Sequence, residues 1–404
     1  MSQCKGEVGL RHKPTQITSL LLLTHMKTNA YLAVHRFTVV GLIAVGLHFM
    51  TGIFASSAQA QNVQSVAGTF DWTNLQSNIA GVADRTDANL VNPWGLAPNP
   101  SANNILWVAD NGTGVSTLYQ PDGTPVPLIV TIPPTSADKG PNPTAAPTGI
   151  VFNSDPSAFK LSNGQPAAFI FDAEDGGISA WNLPLNTQAV LVVDNSSPRP
   201  SKSSVYKGLA VAMRSPGGST LYATNFHKGT VDVYDSTFAK VTTTGTFSDP
   251  NPPPVPSGAV GWAPFGIATI NNLLYITFAA QDSAKHDDVS GPGNGFVDVF
   301  DTQGNLQKRL ITQGQLNSPW GLARVPTAFG ALTSNVLLVG NFGDGHINAY
   351  GVHSGAFLGR LLHRQGQPLQ FNGLWSLVFL QNSLYFTAGI NDEADGLFGF
   401  ITPN

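Results

Sequence analysis

Pro93-Trp94-Gly95-Leu96-Ala97 decides the fold, because the pattern returns five times along the chain. The later copies are Pro147-Thr148-Gly149-Ile150-Val151, Tyr206-Lys207-Gly208-Leu209-Ala210, Pro264-Phe265-Gly266-Ile267-Ala268, Pro319-Trp320-Gly321-Leu322-Ala323 and Leu374-Trp375-Ser376-Leu377-Val378. Their glycine or serine positions are 54, 59, 58, 55 and 55 residues apart. Each copy is followed by a second apolar run, such as Leu106-Trp107-Val108-Ala109 or Leu221-Tyr222-Ala223. A Gly-rich turn comes next, then a run that alternates with period two, such as Val231-Asp232-Val233-Tyr234. Short β-branched and aromatic runs bounded by Gly, Asn and Asp read as strands. Outer fourth strands are expected at 127–131, 189–193, 241–246, 309–312 and 358–362. A unit of this length suits one four-stranded sheet with its turns, repeated radially. The fold expected is all-β, a six-bladed β-propeller.

The sixth unit ends with Gly396-Leu397-Phe398-Gly399-Phe400 as its third strand and has no outer strand of its own. Thr69-Phe70-Asp71-Trp72-Thr73 precedes the first unit and belongs to no blade. This N-terminal strand is expected to complete the last blade, close the ring and remove an exposed edge. Composition agrees with six turn-rich sheets, with 42 Gly and 29 Pro among 404 residues. Only 11% of residues are charged, against roughly 25% in an average soluble domain, while 42% are hydrophobic. Disorder and coiled coil are excluded on that balance. A net charge of −4 with no basic run of five argues against nucleic acid as a partner.

Residues 37–54 form an apolar run after Lys27, His35 and Arg36, and Ala58-Gln59-Ala60 follows. That is the pattern of a secretory signal peptide over 1–60, with Met26 as an alternative start. The expected mature domain is 61–404, a single propeller with no membrane span, periplasmic or extracellular. Without residues 1–60 the chain keeps 15 basic and 23 acidic residues, a net charge of −8, and loses its one cysteine, Cys4. Disulfides and thiol chemistry are thereby excluded from the mature domain.

The Pro-x-Gly-Ile/Leu-Ala pattern with its following strand resembles NHL-repeat and related six-bladed propellers. Longer stretches resemble a narrower group of exported bacterial propellers of unassigned function. They include Asp110-Asn111-Gly112-Thr113-Gly114, Lys285-His286-Asp287-Asp288, Asn341-Phe342-Gly343-Asp344-Gly345 and Asn391-Asp392-Glu393-Ala394-Asp395-Gly396. The resemblance covers residues 70–402 and implies fold and export, not a reaction. Lactonases of the gluconolactonase group use a Glu beside the first blade's innermost strand, where Asn92-Pro93-Trp94 stands here.

The scarce charges are unevenly placed. The six turns between second and third strands hold 11 of the 23 carboxylates and His227, His286 and His346. In a propeller these turns share one face around the central channel. Metal-ligand candidates there are Asp172, Glu174, His227, His286, Asp287 and Glu393, whose oxygen and nitrogen donors suit calcium or zinc. Asp110, Asn225 and Asn341 repeat at one position and read as turn-forming residues. Candidates for binding a ligand are Trp94, Trp320 and Trp375, which could stack on a sugar or pack between blades. Lys207, which breaks the pattern at that position, joins them with Asp282 and Asp344. Two functions stay open: a scaffold of the bacterial cell envelope that binds a small molecule, glycan or protein on its acidic face, and a metal-dependent hydrolase or lyase with its site on that face.

Overall fold

The computed structural model describes residues 68–137 and 143–404. The expected signal peptide lies outside the described residues. Six blade sheets follow one another along the chain, besides a two-stranded sheet of Ala328–Phe329 and Leu332–Thr333. The first blade is Pro93–Asn99, Ile105–Asp110, Val115–Tyr119 and Val130–Thr131. The second is Pro147–Phe152, Phe169–Ala173, Gly177–Trp181 and Val190–Asp194. Tyr206–Arg214, Gly218–Asn225 and Thr230–Tyr234 make the third, and Gly261–Ile270, Leu273–Gln281, Phe296–Phe300 and Leu306–Thr312 the fourth. The fifth is Pro319–Arg324, Val336–Asn341, Ile347–Gly351 and Phe357–Arg360. The sixth holds Leu374–Leu380, Ser383–Ala388 and Leu397–Pro403, with Phe70–Ser77 antiparallel to the last of these, Phe70 opposite Pro403 and Ser77 opposite Leu397. Two 3-10 turns, Leu183–Leu185 and Pro200–Lys202, are the helical structure among the described residues. None is long and apolar enough to cross a membrane.

One expected strand did not form. Blade three has three strands, and past Tyr234 only the isolated bridge to Lys240 continues it. The run Val241-Thr242-Thr243-Thr244 has the composition of a strand, but Gly245 turns it aside, its N–H donating to Gln303 O of blade four at 2.8 Å.

The repeated motif sets how closely the blades approach. Each innermost strand carries a register shift at the motif, between Pro93 and Leu96, Pro147 and Ile150, Tyr206 and Gly208, Pro264 and Ile267, Pro319 and Gly321, and Leu374 and Leu377. Such a bulge turns the strand's backbone toward its neighbour. A Cβ on Gly95 would sit 2.5 Å from Thr148 O, and one on Gly321 2.5 Å from Trp375 O. On Gly266 it would run into the backbone carbonyl of Trp320. Hydroxyls from the second strands tie the same joints. Thr224 Oγ1 donates to Phe265 O at 2.6 Å, and Thr387 Oγ1 to Trp94 O at 2.5 Å. Apolar side chains fill the wedges between blades, as where Trp107 of blade one stacks on Phe169 of blade two at 4.1 Å.

Because the obstacle at Gly266 is backbone, it cannot swing aside. Gly266→Ala is expected to lower the urea midpoint, with a loss of about 1–3 kcal/mol from overpacking. An unchanged midpoint would contradict the close-approach role of the motif.

Candidate functional site

The channel is closed from within by rings. Trp94, Trp320 and Trp375 from the inner strands meet Phe226, Phe265 and Phe342 there. Trp94 and Trp375 stack with centroids 3.4 Å apart, Phe342 stacks on Trp375 at 4.1 Å, and Trp320 meets Trp94 edge-on at 6.0 Å. The three tryptophans are only 2%, 9% and 1% exposed. Of the two readings of these rings, packing between blades holds, and their place as ligand-stacking candidates is corrected. Their faces are spent on one another, as inter-blade packing requires. Trp375 Nε1 donates to Asn92 Oδ1 at 3.0 Å and Trp320 Nε1 to Lys207 O at 2.7 Å, which fixes the rings further.

Lys207 crosses this plug and ends in the mouth of the channel. It is 2% exposed, and its ammonium lies 5.1 Å from the Trp94 ring centroid and 5.9 Å from that of Phe226. A cation over an indole face is attracted by the ring's quadrupole. Its Nζ forms ion pairs with Glu174 Oε1 and, at 3.3 Å, with Asp287 Oδ1. Burial alone would favour the neutral amine, but these carboxylates outweigh it and hold the pKa above the usual lysine value.

Hydrogen bonds extend the pair into an arc. Glu174 Oε2 accepts from Asn111 Nδ2 at 2.9 Å, and Asn111 Oδ1 accepts from Asn92 Nδ2 at 3.3 Å. Asn92 Nδ2 also donates to Glu393 Oε2 at 2.7 Å. At the other end Asp287 Oδ1 meets His286 Nδ1 at 2.8 Å. Reading from Glu393, the arc takes side chains from blades six, one, two, three and four. The His286 contact is the main reason the Asp287 pKa falls to about 2, and the same contact raises that of His286. Burial raises the Glu393 carboxyl above its ordinary value.

The loop that carries Glu393 is held in an unusual conformation. Asn391, Asp392 and Glu393 have φ of 55°, 53° and 66°. Asn and Asp tolerate the left-handed region, whereas other L-residues meet a cost of roughly 1–2 kcal/mol there. Beside this loop a cleft of about 540 Å³ opens over blades five and six, lined by Phe342, Asp344, Asn372, Asn391, Asp392 and Glu393 among others. Asp344 Oδ1 accepts from Asn341 Nδ2 at 3.0 Å and from His346 N at 3.1 Å. Burial would raise its pKa, but the His346 ring, whose Nδ1 lies 3.3 Å from Oδ1, together with these bonds outweighs it and holds the carboxylate below the usual range.

The metal-ligand candidates fall into three groups. Glu174, His286 and Asp287 bring ligand atoms within 4.8 Å of one another. Glu393 joins them through the asparagine arc, and His227 lies outside the cluster. Asp172 is corrected from metal ligand to structural group. It is fully buried, and its Oδ1 accepts from Thr148 Oγ1 at 2.9 Å and Gly149 N at 2.6 Å, locking the second blade's bulge. Asp282 likewise serves its own loop, accepting the N–H groups of His286 and Asp287 at 2.9 and 3.3 Å. Asn92 and Asn111, which join the two glutamates, are not among the sequence's site candidates. Their signal was weak, although Asn92 immediately precedes the repeat motif and has φ of 45°.

No protein-family model matches the chain. An uncharacterised protein of Acanthamoeba polyphaga mimivirus is 30% identical over 338 residues, covering 81% of this chain and 78% of the viral protein. A second from the same virus is 31% identical over 337 residues, covering 82% and 85%. This chain belongs to their family. These two relatives are viral, whereas the sequence resemblance pointed to bacterial proteins. Among solved structures, the soluble aldose sugar dehydrogenase of Escherichia coli in its apo form is similar in fold. The TM-score is 0.50 at 14% identity, over 83% of this chain and all of that one.

Asp172 gives the family member a measurable pH signature. Burial pushes its pKa up to about 7, against about 3.9 in an unfolded chain. The folded state binds this proton more tightly, so the group's contribution to stability is complete below about pH 4 and is lost as pH rises to about 7. Asp172→Asn keeps an acceptor for Gly149 and removes the ionisation. The variant is expected to gain on the wild type by a few kcal/mol between about pH 4 and pH 8 in urea denaturation. Parallel pH profiles would contradict the assignment.

Proposed function

We propose that this chain is an exported propeller that binds a small polar ligand at the mouth of its central channel, with Lys207 as the fixed cation of the site. The carrying observation is a buried ammonium held by Glu174 and Asp287 above an aromatic plug. A hydrophobic side chain would pack on those rings without the cost of desolvating a charge. Perturbed titratable groups gathered at a cleft are candidates for a functional site. The cleft beside them offers carboxylates and amides, so its ligand carries hydroxyl or ammonium groups. Export rests on the apolar run 37–54 and Ala58-Gln59-Ala60.

A metal-dependent hydrolase or lyase is the second reading, favoured by the approach of Glu174, His286 and Asp287. Calcium or zinc bound there would polarise a substrate or activate water. It would have to replace the Lys207 ammonium, which already neutralises two of the three ligands.

Two measurements separate these readings. Protein purified without a His tag is expected to carry no stoichiometric zinc or calcium and to keep its melting temperature in chelator, whereas Lys207→Met is expected to gain zinc binding. Stoichiometric metal in the wild type that is lost in His286→Ala would decide for the metal enzyme. In a thermal-shift screen of neutral sugars, amino sugars and polyamines, stabilising ligands are expected to lose most of their effect in Glu393→Gln. Ligands that stabilise that variant equally would place the site elsewhere.

A further inference from the structure

The mouth cleft does not end at the channel. Asn372 and Asn391 line both it and a neighbouring cleft of about 410 Å³. That second cleft shares Trp72, Gln370 and Phe371 with a third of about 250 Å³. The three clefts thus adjoin in series, from Glu393 outward to Trp72 on the outer strand of blade six.

The outer wall of this run of clefts differs in chemistry from the mouth. Trp72 is 43% exposed, although it stands on the strand that completes the blade. His363 and Phe371 meet this ring edge-on, at 5.1 and 6.0 Å, and so hold it upright in the groove. Around it the polar groups are mostly neutral amides, Gln365, Gln367 and Gln370, continued inward by Asn372. The titratable group of the outer groove is His363, which lies 3.2 Å from Asp71, and Asp71 is also held by Arg364 at 2.8 Å.

An amide donates and accepts at once, and an indole edge or face takes C–H surface. Amides spaced along an elongated groove with an aromatic ring at its end match a chain of hydroxylated rings that carries no charge. A phosphate or uronate polymer lacks a free Lys or Arg in the described lining and meets Asp344 and Glu393 at the inner end. A membrane surface or amphipathic helix would need a broad apolar face, which the glutamines interrupt.

We infer that this groove binds a neutral oligosaccharide, with one terminal sugar at the channel mouth and successive rings running outward to Trp72. The inference rests on the mouth being the binding site and adds the class of its ligand. Calorimetry with the di- and hexasaccharides of the malto-, cello- and N-acetylchito- series tests it. In at least one series the hexasaccharide is expected to bind tenfold or more tighter than the disaccharide. Trp72→Ala should remove that gain and leave disaccharide binding unchanged. Gln367→Ala, at an exposed position, should weaken the hexasaccharide about threefold and guards against a folding defect in the tryptophan variant. A hexasaccharide no tighter than its disaccharide, or a gain that survives both substitutions, overturns the groove while leaving the mouth site standing. If no saccharide binds but a polyamine shifts the wild-type melting temperature and not that of Glu393→Gln, the groove assignment falls and the mouth site stands. If neither class binds, both fall.

Discussion

Everything in this molecule depends on how near one innermost strand can come to the next. At Gly95, Gly266 and Gly321 the backbone of the neighbouring blade occupies the space where a side chain would begin. Removing the Cβ at this position in five of the six blades, with the small Ser376 in the sixth, lets the strands converge on a narrow channel, and the bulge at the same position directs carbonyls to the hydroxyls of Thr224 and Thr387. With the inner strands this close, the residue before the glycine is crowded by its neighbours, and only the small Thr148 turns to Asp172 Oδ1 and Tyr206 O instead of the ring cluster. Tryptophan and phenylalanine at those places meet and plug the channel. The lysine at the same place in blade three is then forced into contact with that plug, and its charge must be matched above it.

The matching explains why few charges suffice. Lys207 is served by Glu174 and Asp287, Glu174 is shared with Asn111, and Asn92 passes the chain of hydrogen bonds to Glu393. Each side chain satisfies a neighbour on another blade. The site therefore has the rigidity of the ring rather than that of any single loop, which is the condition for holding polar groups in fixed positions against water.

Much of this could be read from residue types alone, for reasons that differ from place to place. The blades were legible because close approach demands glycine, and a demand repeated every 54 to 59 residues leaves a visible period. Lys207 was legible because it interrupts an aromatic position. Glu174, His286 and Glu393 stood out because turns do not need them, but so did His227, which lies outside the cluster. Burial of the tryptophans was legible only as one of two readings, since a ring next to a Pro-x-Gly bulge can face the axis or the open mouth, and the narrowness of the channel decides. Asp172 misled for a related reason. A buried carboxylate that holds a bulge and an exposed one that binds metal look alike on paper. The asparagines of the arc were hidden behind their usual role in turns, and Trp72 behind its position outside the repeat.

The aromatic plug also determines traffic. Below it, the inner strands line a separate open cleft of about 140 Å³, with residues such as Gly95, Leu209 and Leu322 in its wall. Stacked rings 3.4 Å apart leave no passage between that cleft and the mouth. The axis is thus a blind well rather than a tunnel. A molecule entering at Lys207 must depart by the route it came, and two molecules cannot follow one another through.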